Sequence, residues 1–270
     1  MTHTNKVLTL KQPSQINQHL IGALHTGALH AIRIPNYCSE FQCATVTAAI
    51  ELLYDGQTYS GSAANVGTFG LSLYEVSKNP DRIHDYYRLA LCEQELLRQY
   101  CNGVTLPIDQ IRIDLDEAWQ HGLKIERFHD HRAPANCGLN RIVLPGGFLG
   151  LHVDRTDWDL PDNDRAQAMC TQFGANVYLE TAQQGGELEL WQFMPATQAE
   201  HDALMMPGSD YQLDRKLIGE PDTVITPQRG ELIIFNARRG HAVPTVNSKR
   251  VTASCFIGYY GDDHALSAYS

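Results

Sequence analysis

The chain predicts an α+β protein: a mainly helical first half of about 135 residues, then an antiparallel β core. Three observations support this. Apolar residues recur at helical spacing between Asn79 and Gly103. From Arg141 onward, short apolar runs alternate with turn motifs: Pro-Gly-Gly (145–147), Gln-Gln-Gly-Gly (183–186) and Gln-Arg-Gly (228–230). The 270 residues, 43% hydrophobic and 19% charged, are enough to bury one substantial core. Repeated strand and turn over this length reads as a jelly roll, or double-stranded β-helix, the barrel that houses cupin-like metal sites. The expected organisation is a single domain over 1–270, with helical support at 1–135 and a jelly-roll core at 136–262.

The elements follow in order. Ala-Ile-Arg-Ile-Pro (31–35) reads as a short strand, and Ser39 with Gln42 forms a capping box opening a helix to about Tyr54. Residues 56–70, rich in Gly, Ser, Ala and Asn, read as a loop. Asn79-Pro80-Asp81 opens the clearest helix, with Asn as cap, Pro at the first helical position and Asp at the positive end of the dipole. Its apolar stripe is Ile83, Tyr87, Ala90, Leu97 and Cys101, Tyr87 being a core aromatic, and Gly103 is its stop. A further helix is expected over 107–121, ending at Gly122, and both helices should brace the sheet from outside. Between core strands, residues 195–222 form a long polar, Pro- and Gly-punctuated insertion. Such insertions are uncommon unless functional, so a lid over the barrel mouth is expected.

The chemistry concentrates in a few residues. His152 and Asp154 stand two apart in Leu-His-Val-Asp, and side chains two apart on a strand share a face. His241 follows the apolar run Glu-Leu-Ile-Ile-Phe-Asn and must come from a strand folded back against the first. Two imidazoles and a carboxylate are the facial triad that holds Fe(II) and leaves sites open for substrate and oxygen. Nine residues beyond His241 lies Arg250, then Thr252, in a strand-like run. Arg suits a bidentate clamp on a carboxylate, and Thr252 would add a hydrogen bond from the same face.

These motifs, with Asn-Val-Tyr-Leu-Glu (176–180), Gly-Gly-Glu-Leu (185–188) and Pro-Gln-Arg-Gly-Glu-Leu-Ile-Ile-Phe (227–235), stand in the order of the Fe(II)/2-oxoglutarate-dependent oxygenases. Over about 140–260 the chain resembles that superfamily in its prolyl-hydroxylase pattern. Arg-Ile-Val-Leu-Pro-Gly-Gly-Phe-Leu-Gly-Leu-His (141–152) also resembles the freestanding aliphatic halogenases and their hydroxylase relatives, which act on free amino acids or small natural products. The resemblance implies that His152, Asp154 and His241 bind Fe(II). It implies that 2-oxoglutarate is the cosubstrate, its distal carboxylate held by Arg250 and Thr252, and that O2 is consumed. The halogenases carry Gly where this chain has Asp154, so hydroxylation is implied here, not halogenation. Arg141 sits at the offset where those relatives place an Arg; it is either a structural ion-pair partner or a residue that faces the substrate or braces the active site.

The implied function is hydroxylation of an aliphatic C–H of a freestanding small molecule. A free amino acid or its derivative ranks first, a specialised natural product second and a protein side chain third. A cupin-like metal- or ligand-binding barrel that does not use 2-oxoglutarate is the alternative, against which an inward Arg250 argues. The net charge of −10 argues against nucleic acid, and no apolar stretch approaches the ~20 residues of a membrane span. The N-terminus lacks the basic and apolar regions of a signal peptide, so a cytoplasmic protein is expected. Seven cysteines without Cys-X-X-Cys spacing read as buried free thiols. His129 and His131 are a second possible ligand pair but lack a third partner; a solvated loop is expected there, with a role near the substrate as the alternative. The acidic run Asp157, Asp159, Asp162, Asp164 reads as a solvated turn, and His201 as exposed.

Overall fold

The computed structural model describes residues 6–56, 65–128 and 133–270. The expected His129/His131 pair and most of the 56–70 loop lie outside them. Strand β1 (Val7–Thr9) leads into helix α1 (Gln18–Thr26), strand β2 (Ala31–Ile34) and helix α2 (Glu40–Leu53). There follow β3 (Val66–Phe69), α3 (Leu73–Lys78), α4 (Ile83–Tyr100), α5 (Pro107–Ala118) and β4 (Leu123–Ile125). The core continues with β5 (Leu139–Val143), β6 (Leu149–His152), the short helices α6 (Thr156–Asp159) and α7 (Asp164–Gln167), β7 (Thr171–Glu180) and β8 (Leu188–Leu190). Helices α8 (Gln198–Ala203) and α9 (Arg215–Ile218) occupy the insertion, before β9 (Thr223–Ile225), β10 (Leu232–Asn236), β11 (His241–Val243), β12 (Arg250–Tyr259) and β13 (Leu266–Tyr269).

Two sheets face each other. The larger runs β1-β2-β10-β7-β12-β13-β4, with β5 also paired to β12 and β3 to β5; the smaller runs β6-β11-β8-β9. This is the expected double-stranded β-helix with helical support. Period-2 alternation on β12 serves two interiors at once. Val251, Ala253, Cys255 and Ile257 point outward into the main core, against Val46 and Ile50 of α2 and Ile108, Ile111 and Leu115 of α5. Arg250, Thr252, Ser254 and Phe256 line the cavity between the sheets. Burying each large aliphatic side chain contributes about 1.5–3 kcal/mol, so the helices fix the outer face while the inner face is free for chemistry.

Several elements form as their local chemistry dictates. Ser39 accepts from Gln42 N and Gln42 returns the bond, closing the capping box of α2. Gly146, at φ +85°, turns the chain from β5 into β6. Gly185, at φ +76°, lies against the Thr245 carbonyl, where a Cβ has no room.

Other expectations are corrected. The first half carries four strands, β3 among them, inside the span read as a loop. Asn79 makes no side-chain cap; Pro80–Arg82 form a 3-10 turn, and α4 starts at Ile83. The buried face of α4 is Tyr86, Ala90, Gln94, Leu97 and Cys101, while Tyr87 is half-buried and meets Tyr86 edge-on. A polar residue in that stripe hid it: buried Gln94 donates to the Gly138 carbonyl at 3.0 Å. Helix α5 ends at Ala118, not 121. Two of the seven free cysteines, Cys92 and Cys170, are exposed rather than buried. Strand β13 extends the larger sheet beyond residue 262. No helix among the described residues is long and apolar enough to cross a membrane.

Candidate functional site

His152 ends β6 and His241 begins β11, and the two are direct partners in the antiparallel register. Asp154 lies two residues past the strand end rather than on it, and its backbone N–H donates to the Ala237 carbonyl at 2.9 Å. The His241 Nε2 to Asp154 Oδ2 distance is 3.1 Å, and the His152 Nε2 to Asp154 Oδ1 distance is 3.9 Å. All three ligand atoms lie within 4.8 Å of one another. Bonds of about 2.1 Å at right angles place neighbouring ligand atoms roughly 3 Å apart, which the His241–Asp154 pair matches at 3.1 Å, while His152 stands farther off at 3.9 Å.

The hydrogen bonds set the tautomers. His152 Nδ1 lies 2.7 Å from the Gly150 carbonyl and His241 Nδ1 3.0 Å from the Arg239 carbonyl. A carbonyl only accepts, so each Nδ1 carries the proton and each Nε2 turns a lone pair inward. With neutral rings in that tautomer, two Nε2 lone pairs and a carboxylate converge on one point, a set that a bound cation completes; without one, a hydrogen bond between His241 and Asp154 takes its place. Burial, followed by the neighbouring His241, pushes the His152 imidazole down to about 4. Burial alone would raise the Asp154 carboxyl; the hydrogen bond and charge of His241, with His152 and Arg141, hold it below its usual range. Two imidazoles and a carboxylate in this arrangement are the donor set that fits Fe(II).

Arg250 and Thr252, each 2% exposed, line the same inner chamber of about 60 Å³ as the triad. The Arg250 guanidinium packs 5.0 Å from the Tyr178 ring centre, and its Nε finds no hydrogen-bond acceptor among the described residues. Burial lowers its pKa despite Tyr178. A buried guanidinium without a carboxylate partner in a cavity is a site for an anionic ligand. Arg141 lies directly opposite Thr252 on β5. Strand β5 belongs to the larger sheet and β6 to the smaller, so Arg141 is not on a strand paired with the histidine strand; it faces it across the cavity.

An outer chamber of about 220 Å³ opens beside the inner one. Arg141, Leu149, His152, Asp154 and Phe256 line both, so the chambers meet at the triad. The 195–222 insertion forms part of the outer wall through His201, Met205, Asp210 and Tyr211. It is fastened there by Leu213 N donating to Leu151 O at 2.7 Å and by Tyr211, whose ring meets His152 edge-on at 5.7 Å. His201 is half-buried against Trp158 rather than exposed. The acidic run is not a uniform solvated turn: Asp162 and Asp164 are exposed, but Asp157 pairs with Arg155 and Arg238, and Asp159 lines the outer chamber. Sequence reasoning also missed Tyr74 and Trp158, on helices α3 and α6 too short to show a periodic pattern, and Tyr211 in the insertion.

Residues 137–258 match the 2OG-Fe(II) oxygenase superfamily. The L-isoleucine 3(1)-dioxygenase of Pantoea ananatis is 31% identical over 258 residues, covering 90% of this chain and 84% of that protein. The crystal structure of an N-substituted L-amino acid dioxygenase from Burkholderia ambifaria, in complex with alpha-KG, superposes with a TM-score of 0.62 at 16% identity, covering 93% of this chain and 90% of that one. HygX from Streptomyces hygroscopicus, with nickel and 2-oxoglutarate bound, gives a TM-score of 0.52 at 14% identity, covering 90% and 87%. A barrel that does not use 2-oxoglutarate is thereby set aside. The chain belongs to the Fe(II)/2-oxoglutarate-dependent oxygenase superfamily and is a 2-oxoglutarate-dependent dioxygenase.

Proposed function

We propose that this dioxygenase hydroxylates an aliphatic C–H of an amino acid or amino-acid derivative, with His152, Asp154 and His241 holding Fe(II). The observation that carries the reading is the convergence of that triad with Arg250 and Thr252 in one chamber, opening onto a second, larger chamber. The Pantoea relative, named for L-isoleucine, supports the substrate class.

Iron, 2-oxoglutarate and O2 together supply the oxidation, releasing succinate and carbon dioxide as one oxygen atom enters the substrate. The chain's residues bind and orient. Arg250 and Thr252 take the distal carboxylate of 2-oxoglutarate, a charge-assisted contact that fixes the cosubstrate relative to the triad. The backbone carbonyls of Gly150 and Arg239 keep both imidazoles in the tautomer that presents Nε2. Leu149 and Phe256, at the junction of the chambers, present an apolar throat to the aliphatic group and limit water there. Arg141 spans both chambers and braces the junction. Residues 195–222 act as the lid. Free thiols throughout fit a reducing cytoplasm, and a net charge of −10 fits a small-molecule rather than a nucleic-acid partner.

The test is aerobic incubation of the purified chain with Fe(II), 2-oxoglutarate and a panel of amino acids and their derivatives. Succinate release matched by a product one oxygen heavier is the expected result. Succinate release without any oxidised amino-acid product would refute the substrate assignment.

A further inference from the structure

The charges of the outer chamber deepen the amino-acid reading, and the ammonium site assigned below depends on that reading. Of the charged side chains lining the chamber, Asp154 belongs to the triad. Arg155 is bound to Asp157 by two contacts of 2.9 and 2.6 Å and stacks 3.9 Å over Trp158. Asp202 lies 3.0 Å from His201 Nδ1. Arg141 spans both chambers. Lys78, Asp159 and Asp210 remain, and among the described residues none comes within 4.0 Å of an opposite charge.

These three arrive from separate parts of the chain: the last residue of α3, the last residue of α6 and the insertion. Asp159 is recessed, while Lys78 and Asp210 are exposed at the rim. Tyr74 stands among them. Burial, then the charges of Asp210, Asp159 and Asp154, push its hydroxyl up, and the Lys78 ammonium lies 5.2 Å from its ring centre. Burial, with the charges of Asp154 and Asp157, pushes the Asp159 carboxyl up to about 7, against the pull of Lys78 and a hydrogen bond from Ser77. A recessed carboxylate in a cavity this size, without its own cation, is completed by a cationic ligand.

We propose that Asp159 receives the free ammonium group of an α-amino acid, with Lys78 drawing the substrate carboxylate and Asp210 reinforcing the acidic side of the rim. The substrate's aliphatic chain then runs along Val153 and Met205 toward Leu149 and Phe256, above the triad. An N-acylated amino acid is neutral at nitrogen. Its amide N–H can still donate to Asp159, but it brings no positive charge to offset a recessed carboxylate and adds the bulk of the acyl group, so it binds more weakly.

The test uses the Fe(II)-loaded full chain with 2-oxoglutarate and matched probes: aliphatic L-amino acids and their N-acetyl counterparts. Turnover of the free series well above that of the N-acetyl series is expected. Comparable or better turnover of the N-acetyl series overturns this inference and leaves the amino-acid dioxygenase reading standing; turnover of neither series overturns both. In Asp159→Asn, KM for the free amino acid should rise roughly 10- to 100-fold with kcat nearly unchanged, as expected for loss of a charge-assisted contact. The anaerobic visible absorbance given by Fe(II) and 2-oxoglutarate should stay as in the parent, and Asp159→Glu should recover part of the loss. An unchanged KM, or loss of that absorbance, counts against Asp159 as the ammonium site.

Discussion

His241 stands directly opposite His152 where β11 pairs antiparallel with β6, with ring centroids 4.1 Å apart. Cross-strand partners are the closest side-chain positions a sheet offers, so the pairing register itself brings two ligand nitrogens together. The carboxylate needs no third strand: the chain bends after His152 and returns Asp154 to the same spot, held by its N–H on Ala237.

Replacing either histidine with Ala should therefore abolish the anaerobic visible band that Fe(II) and 2-oxoglutarate give together, while the far-ultraviolet dichroism stays native. Retention of the band in His152→Ala, or its loss in His129→Ala or His131→Ala, would show that the metal lies elsewhere.

Arg250→Ala should raise the apparent Kd for 2-oxoglutarate at least tenfold, since a buried charge-assisted contact contributes about 1.5–3 kcal/mol. Arg250→Lys should recover only part of this, because an ammonium cannot form the planar fork. Equilibrium titration of 2-oxoglutarate into the Fe(II) protein under nitrogen gives the number. An unaltered Kd in the Ala variant refutes the clamp.

The resemblance to the halogenases implies that Asp154 occupies the position their halide takes. The wild-type product should gain one oxygen atom, labelled from oxygen-18 gas, even in high chloride. Mass spectrometry of the product decides, and a chlorinated product would falsify Asp154 as an iron ligand. Asp154→Gly removes an anionic ligand, and the expected outcome is loss of metal affinity and activity.

Glu93 on α4, which lines neither chamber, supplies a pH test separate from the metal site. Burial, then the nearby Asp55 and Glu75, push its carboxyl up to about 7 against the backbone N–H of Leu71, and its Oε2 has no hydrogen-bond partner among the described residues. A folded pKa above the unfolded value costs nothing below about pH 4.5, where both states hold the proton. The cost grows as pH rises through the 4.5–7 window and is complete above it. Glu93→Gln should therefore raise Tm at pH 8 and leave it nearly unchanged at pH 4. Equal shifts at both pH values would contradict a raised carboxyl.

Much of the fold and site was legible in the sequence, and the rest has identifiable causes. His152, Asp154, His241, Arg250 and Thr252 stand on or beside strands, where spacing maps onto facing directly. The outer chamber does not work that way. Asp159, Tyr74 and Tyr211 belong to short helical and irregular segments that meet only after the sheets have paired. The aspartate that faces the chamber looked in sequence like its exposed neighbours Asp162 and Asp164. Strand β3 escaped notice because its four residues, Val-Gly-Thr-Phe, form an edge held by β5 and follow a glycine-rich stretch. Tyr86 was missed in favour of Tyr87 because Gln94 interrupts the apolar stripe of α4.

The insertion leaves β8 and returns in β9, whose residues Leu190 and Thr223 are paired neighbours. Its two ends are thus already closed by the sheet, and a replacement of different length adds only a slowly growing loop entropy. Part of the outer chamber's wall, Met205, Asp210 and Tyr211 among it, therefore rides on a cassette whose exchange leaves the triad, the Arg250 strand and Asp159 on their own elements. Grafting the corresponding segment from a relative is a direct way to retarget this oxygenase, and the same arrangement lets a lineage acquire new substrates without risking its iron.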